Sequence, residues 1–160
     1  MSDPQVTSVP AIGSASVFQV EIQVTINAPQ QRVWQALLYE TPQWWRKDFF
    51  TSPKTKAFVI EPRVGGRAYE DYGDGNGAIW FIVNLLDAPN RLQWVSHMGG
   101  SFSGPAISIV EINLEESGNL TVLKLRDQLV GKANDQSIEQ MTSGWKMLME
   151  EALKQHVETP

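Results

Sequence analysis

The chain has 160 residues, 42% of them hydrophobic and 19% charged, the composition of a folded globular protein of one compact domain. Zero cysteines exclude disulfides, thiolate metal sites and a cysteine nucleophile, which fits a reducing compartment and makes the cytoplasm the expected location. Thirteen Lys and Arg against eighteen Asp and Glu leave a net charge of -5 with the basic residues scattered, so no nucleic-acid partner is expected. No run reaches the roughly 18 to 20 apolar residues of a bilayer span, and the first residues have neither a basic start nor an apolar signal core.

Residues 1–15, with two prolines and small polar residues, read as a flexible tail, followed by a single domain over 16–158. From Val17 to Ile26, Phe18, Val20, Ile22, Val24 and Ile26 alternate with polar residues, the period of a half-buried strand. After Asn27-Ala28-Pro29, with Pro29 suited to a first helical turn, Val33, Trp34, Leu37 and Leu38 recur at helical spacing. Thr41-Pro42 then predicts a second short helix, with Thr41 as N-cap, running through Trp44 and Trp45. The middle of the chain predicts strands near 56–61, 66–72, 78–87, 91–97, 107–115 and 120–128, separated by turn-forming residues and a longer loop from Met98 to Pro105. Finally Ile138, Met141, Trp145, Leu148, Met149, Ala152 and His156 fall three or four apart, predicting one amphipathic helix over about 135–157.

The order strand, two short helices, six strands, long helix is an α+β domain. Seven antiparallel strands at about 4.8 Å span roughly 30 Å, whereas one helix is only about 10–12 Å across. The sheet must therefore curl around the helix. What remains of its concave face has to be filled by bulky side chains, by the short helices or by a ligand.

Several stretches carry a resemblance. They are Ile26-Asn27-Ala28-Pro29 with Val33-Trp34 and Ala36-Leu37, the Trp44-Trp45 pair, and Gly65-Gly66-Arg67. The series continues through Gly77 and the apolar strand after it, Ala88-Pro89-Asn90-Arg91-Leu92 with Trp94, and Gly144-Trp145. In order and spacing, over roughly 17–157, the chain resembles the START-like (SRPBCC, helix-grip) superfamily, and within it the branch of activators of the heat-shock chaperone ATPase. Ala28 departs from the polar capping residue frequent there. The resemblance implies a curved antiparallel sheet of about seven strands wrapped around a long C-terminal helix, and a cavity between them that members use for apolar molecules. It does not imply one function, because carriers, receptors, cyclases and co-chaperone domains share the fold.

Six tryptophans are many for this length, and the candidate cavity residues are Trp45, Tyr69, Trp80, Trp94, His97, Asp127, Met141, Trp145 and Met149. Met141 and Met149 lie one turn either side of Trp145, and aromatic rings with adaptable methionines suit an apolar pocket, although each also suits plain core filling. His97, before Met98-Gly99-Gly100, stands where an imidazole could act as acid, base or anchor, yet no nucleophile stands near it and a half-exposed strand end is the plainer account. His156 suits a favourable charge at a helix C-terminus, and two distant histidines make no zinc site. Arg67, Tyr69 and Asp71 share one strand face, which is either ligand-facing or solvated. Asp127 follows Leu123 and Leu125 at period two, which puts a carboxyl on the apolar side, where it needs a partner or a raised pKa. Asp71, Asp74 and Asn76 lack calcium-loop spacing, and the glycines around them precede a strand rather than a phosphate-binding helix.

The leading expectation is non-covalent binding of a small apolar or amphipathic molecule, with no metal or cofactor, by a monomer or homodimer. Two alternatives stand beside it: a co-chaperone-like domain whose partner is a chaperone, and a cyclase or dehydratase using His97 or Asp127 as base in the same cavity.

Overall fold

The computed structural model describes residues 13–99 and 104–159. Most of the expected tail, and the middle of the expected loop from Met98 to Pro105, lie outside the described residues. Strand β1 (Ser16–Ile26) buries Val20, Ile22, Val24 and Ile26 and exposes the polar residues between them, as its alternation predicts. Helix α1 (Gln30–Tyr39) then buries Val33, Trp34, Ala36, Leu37 and Leu38. Helix α2 (Thr41–Trp44) is tied back to α1 by the Trp44 indole, whose Nε1 donates to the Ala36 carbonyl at 2.8 Å. A 3-10 turn at Lys47–Phe49 completes the connection.

Six strands follow: β2 (Ala57–Ile60), β3 (Arg67–Gly73), β4 (Asn76–Asp87), β5 (Arg91–Met98), β6 (Ala106–Ser117) and β7 (Leu120–Gly131). They form one seven-stranded antiparallel sheet in the order β1-β7-β6-β5-β4-β3-β2. The hairpin between β3 and β4 turns at Asp74-Gly75, both at positive φ, the backbone that matches strand twist in tight hairpins. Pairing is interrupted between Ala68 and Tyr69, between Asp71 and Gly73, and between Val83 and Leu85. Such irregularities bend a strand and raise its twist, which helps the sheet to curl. At the end of β7, Gly131 has φ 144°, and a Cβ there would stand 2.5 Å from the Ala106 Cα, so only glycine lets β6 and β7 approach at this point.

The inner face of the sheet packs on the C-terminal helix. That helix begins as α3 (Asp135–Lys146), with the Asn134 side chain accepting the Ser137 N–H at 2.9 Å as its cap. It continues through a π-helical stretch, Met147–Leu153, into α4 (Lys154–Glu158). Trp145, Leu148, Met149, Leu153 and Val157 are buried. The outer face is solvated and carries ion pairs such as Glu21–Arg126 and Glu115–Lys124. His156 lies at the helix end, its Nε2 2.6 Å from the Glu40 carboxylate, joining α4 to the end of α1.

Three local expectations are corrected. Pro29 occupies the N-cap position of α1 rather than its first turn, with no side-chain cap bond. Glu40, not Thr41, is the N-cap of α2, while Thr41 is buried as its first residue. The C-terminal helix is not α-helical throughout: the wider turns of Met147–Leu153 contain no Gly or Pro, so composition does not signal them.

Candidate functional site

Between the inner face of the sheet and α3 lies a cavity of about 390 Å³. Its wall is aromatic, from Trp45 and Phe49 through Trp80 and Phe81 to Trp145, with Leu129, Met141 and Leu148 adding aliphatic and thioether surface. These rings support one another. Trp45 stacks on Phe58 with centroids 3.7 Å apart and planes within 3°, and Trp80 meets both edge-on at 5.8 and 5.9 Å. Phe81 lies 5.0 Å from Trp94 and 6.0 Å from Trp145. Gly144 on α3 admits the Phe49 ring closely, since a Cβ there would stand 3.3 Å from Phe49 Cε1. The indole N–H groups of Trp45 and Trp94 are buried without a hydrogen-bond partner among the described residues.

The buried carboxyl of this wall is Asp127, beside the buried hydroxyls of Ser96 and Ser108. Its place two residues beyond Leu125 on β7 points it inward, where only 3% of it is exposed. The Ser108 hydroxyl donates to its Oδ1, and the Trp145 indole donates to Oδ2 at 2.8 Å. Burial pushes its carboxyl above the ordinary aspartate value, and these two hydrogen bonds offset part of that rise. A carboxyl raised in the folded state stabilises the fold most at pH below its unfolded pKa, near 3.9, and that contribution is lost as pH rises through the folded value. Asp127→Asn keeps the shape, with Oδ1 able to accept from Trp145 and Nδ2 able to donate to Ser108. Its melting temperature is expected to match wild type near pH 3.5 and to exceed it at pH 7, each unit of elevation being worth about 1.4 kcal/mol. Parallel melting curves at both pH values check this; a variant less stable than wild type at pH 7 contradicts it.

A second buried carboxylate supports the wall from behind. Glu70, fully buried on β3, accepts from the Thr51 N–H at 2.9 Å, from the Thr51 and Thr55 hydroxyls, and from the Trp80 indole at 2.8 Å. It thereby holds both the segment after the 3-10 turn and one of the cavity's rings.

Of the residues singled out from sequence, Trp45, Trp80, Asp127, Met141 and Trp145 line the cavity. His97 touches its rim and is exposed, on the opposite strand face from buried Ser96. Three do not line it. Tyr69 is on the outer face of β3 beneath the Arg67 guanidinium, 4.5 Å from its ring centroid, because the inward positions of this strand are Ala68 and Glu70. Trp94 and Met149, each fully buried, lie in the packed core behind the wall. Reasoning from sequence missed Glu70, Phe81 and Ser108; the alternation Ala68, Glu70 against Arg67, Tyr69 was the available signal for the first. Among the described residues no group of His, Cys, Asp and Glu could hold a metal ion.

A curved antiparallel sheet gripping a C-terminal helix, with short helices after the first strand, defines the helix-grip class of proteins. Residues 27–158 match the family described as activator of Hsp90 ATPase homolog 1-like protein, and the chain belongs to that family. Solved structures with the same fold include an uncharacterised protein from Rhizobium leguminosarum, at 18% identity, TM-score 0.66, and 92% and 98% of the two chains covered. The Aha1 dimer from Colwellia psychrerythraea is similar at 19% identity, TM-score 0.60, covering 89% of this chain and 97% of that one. DynU16, from the dynemicin biosynthetic locus, is similar at 19% identity and TM-score 0.64 over 88% of this chain, which spans 47% of that protein. No curated protein matches the chain. Among the described residues no helix is long and apolar enough to cross a membrane.

Proposed function

We propose that this protein binds a small apolar or amphipathic molecule, without covalent chemistry, in the cavity between the sheet and α3. The observation that carries the reading is the make-up of that cavity: about 390 Å³, walled by aromatic rings and a methionine, with one buried carboxyl in the wall. Ligand sites are of this kind, concave and mostly apolar with few polar groups, and span roughly 300–1,000 Å³. The reading requires no cofactor. Its test uses Met141, half-buried in the wall, where tryptophan would occupy the space. The wild-type protein is expected to bind an environment-sensitive apolar dye, and to show in native mass spectrometry a co-purified small molecule lost on denaturation. Met141→Trp is expected to weaken dye binding about tenfold or more, a change of about 1.4 kcal/mol, with its circular dichroism unchanged. Equal dye binding by the two proteins would place the dye elsewhere and remove the reading.

A second reading rests on the family itself, whose description is activation of the Hsp90 ATPase, and on the likeness to the Colwellia Aha1 dimer. In it the chain, as monomer or homodimer, contacts a chaperone through its surface. Severalfold stimulation of ATP hydrolysis on adding the purified protein to an Hsp90-type chaperone supports it. An unchanged rate, with no complex on gel filtration, removes it.

A further inference from the structure

The acidic side chains of this protein differ sharply in their partners. On the outer face Glu21, Glu111 and Glu115 each pair with an arginine or lysine, as does Glu61 at the start of the loop before β3. Asp127, far less exposed than any of these, is held by neutral donors, as buried Glu70 is; of the two, Asp127 is the one that lines the cavity. Both of its oxygens accept, from Ser108 and from Trp145, so the geometry is that of a carboxylate held by neutral donors. A buried charge in such a place is costly unless a counter-charge reaches it. Of the other charged or titratable side chains around the cavity, Lys132 and His97, both are exposed, and neither bonds to Asp127.

What the cavity does present to Asp127 is aromatic surface. Trp145 touches the carboxylate through its indole, Phe81 is 6.0 Å from Trp145, Trp80 is 6.2 Å from Phe81, and Trp45 is 5.8 Å from Trp80. Ring faces attract cations, most strongly where water is excluded, and tryptophan is the best of them. A carboxylate lacking a counter-ion beside a chain of indole and phenyl rings is complementary to an ammonium group carrying apolar substituents. It has no such complementarity to an anion.

We infer that the cavity takes an organic cation, its ammonium group set against Asp127 and its apolar part enclosed by the wall from Trp145 to Trp45. The inference rests on the reading of this cavity as a ligand site and adds the charge of the ligand. Three probes of similar size test it on the full-length protein: benzyltrimethylammonium, its uncharged carbon isostere neopentylbenzene, and phenylacetate. Each is titrated by calorimetry and by tryptophan fluorescence. The wild-type protein is expected to bind the ammonium probe about tenfold or more tightly than neopentylbenzene, and phenylacetate most weakly. In Asp127→Asn the two affinities are expected to converge to within about threefold, the loss falling on the cation alone.

If neopentylbenzene or phenylacetate binds wild type as tightly as the cation, or if the preference persists in Asp127→Asn, the inference is overturned and the cavity reading survives. If none of the three binds, the cavity reading falls and takes the inference with it. The wild-type ratio needs no variant, so a substituted chain that failed to fold would leave the decision intact.

Discussion

Glu70→Ala is expected to lower the stability of the domain by about 3 kcal/mol or more, the cost of withdrawing one acceptor from several buried or half-buried donors at once. The Thr51 N–H, the Thr55 hydroxyl and the Trp80 indole all converge on this one fully buried carboxylate. The Thr51 hydroxyl loses less, because it retains Tyr72 at 2.9 Å and is exposed to water. For a chain of this size about 3 kcal/mol corresponds to a fall in melting temperature of roughly 6–12 °C. Chemical denaturation followed by circular dichroism measures it. Glu70→Gln keeps one acceptor oxygen and is expected to lose less. A loss below about 1 kcal/mol in Glu70→Ala would mean that water replaces the carboxylate and that Glu70 does not hold the wall.

Phe58→Ala is expected to cost about 3–5 kcal/mol, the usual range for deleting a fully buried phenyl ring. The ring lies flat against Trp45 at 3.7 Å and meets the edge of Trp80, so its removal leaves two of the cavity's rings without their backing. The expected consequence is a shifted, broadened tryptophan emission and weakened dye binding, together with the loss of stability. Phe58 stands directly opposite Glu70 in the pairing of β2 with β3. The two substitutions therefore disturb the same wall, and the double variant is expected to lose less than the sum of the single losses. Strict additivity would show that the aromatic cluster and the carboxylate act independently.

These two residues also mark where sequence reasoning ran out. Phe58 falls inside a stretch read as a strand, but nothing in four residues of Ala-Phe-Val-Ile tells which ring it will stack on. Glu70 looks, by residue type, like one more solvated acid. Its burial follows from the parity of β3, where Ala68 and Glu70 face inward and Arg67 and Tyr69 outward. A one-residue choice of face moves every side chain of a strand, and a short strand mixing charged and aromatic residues gives the pattern little to choose by. For that reason the sequence leaves the face of Arg67, Tyr69 and Asp71 open between ligand and solvent, and the structure turns Tyr69 outward. Asp127 was more legible because Leu123 and Leu125 set the parity before it.

Local chemistry determined a good deal. The alternation of β1, the turn residues between the later strands and the helical spacing after Asn134 were enough for the element order, the α+β class and the need for the sheet to curl. These signals lie within a few residues of one another, so the sequence exposes them directly. The aromatic wall was decided only by the tertiary structure, because Trp45, Phe58, Trp80 and Trp145 are distant along the chain and meet through the curvature of the sheet. The same holds for the separation of Trp94 and Met149 from the cavity, and for the π-helical stretch at Met147–Leu153. Composition could supply six tryptophans and eighteen acids. Which of them surround a space and which fill one depends on long-range pairing and on how the helix seats in the sheet, and neither is written in any local pattern.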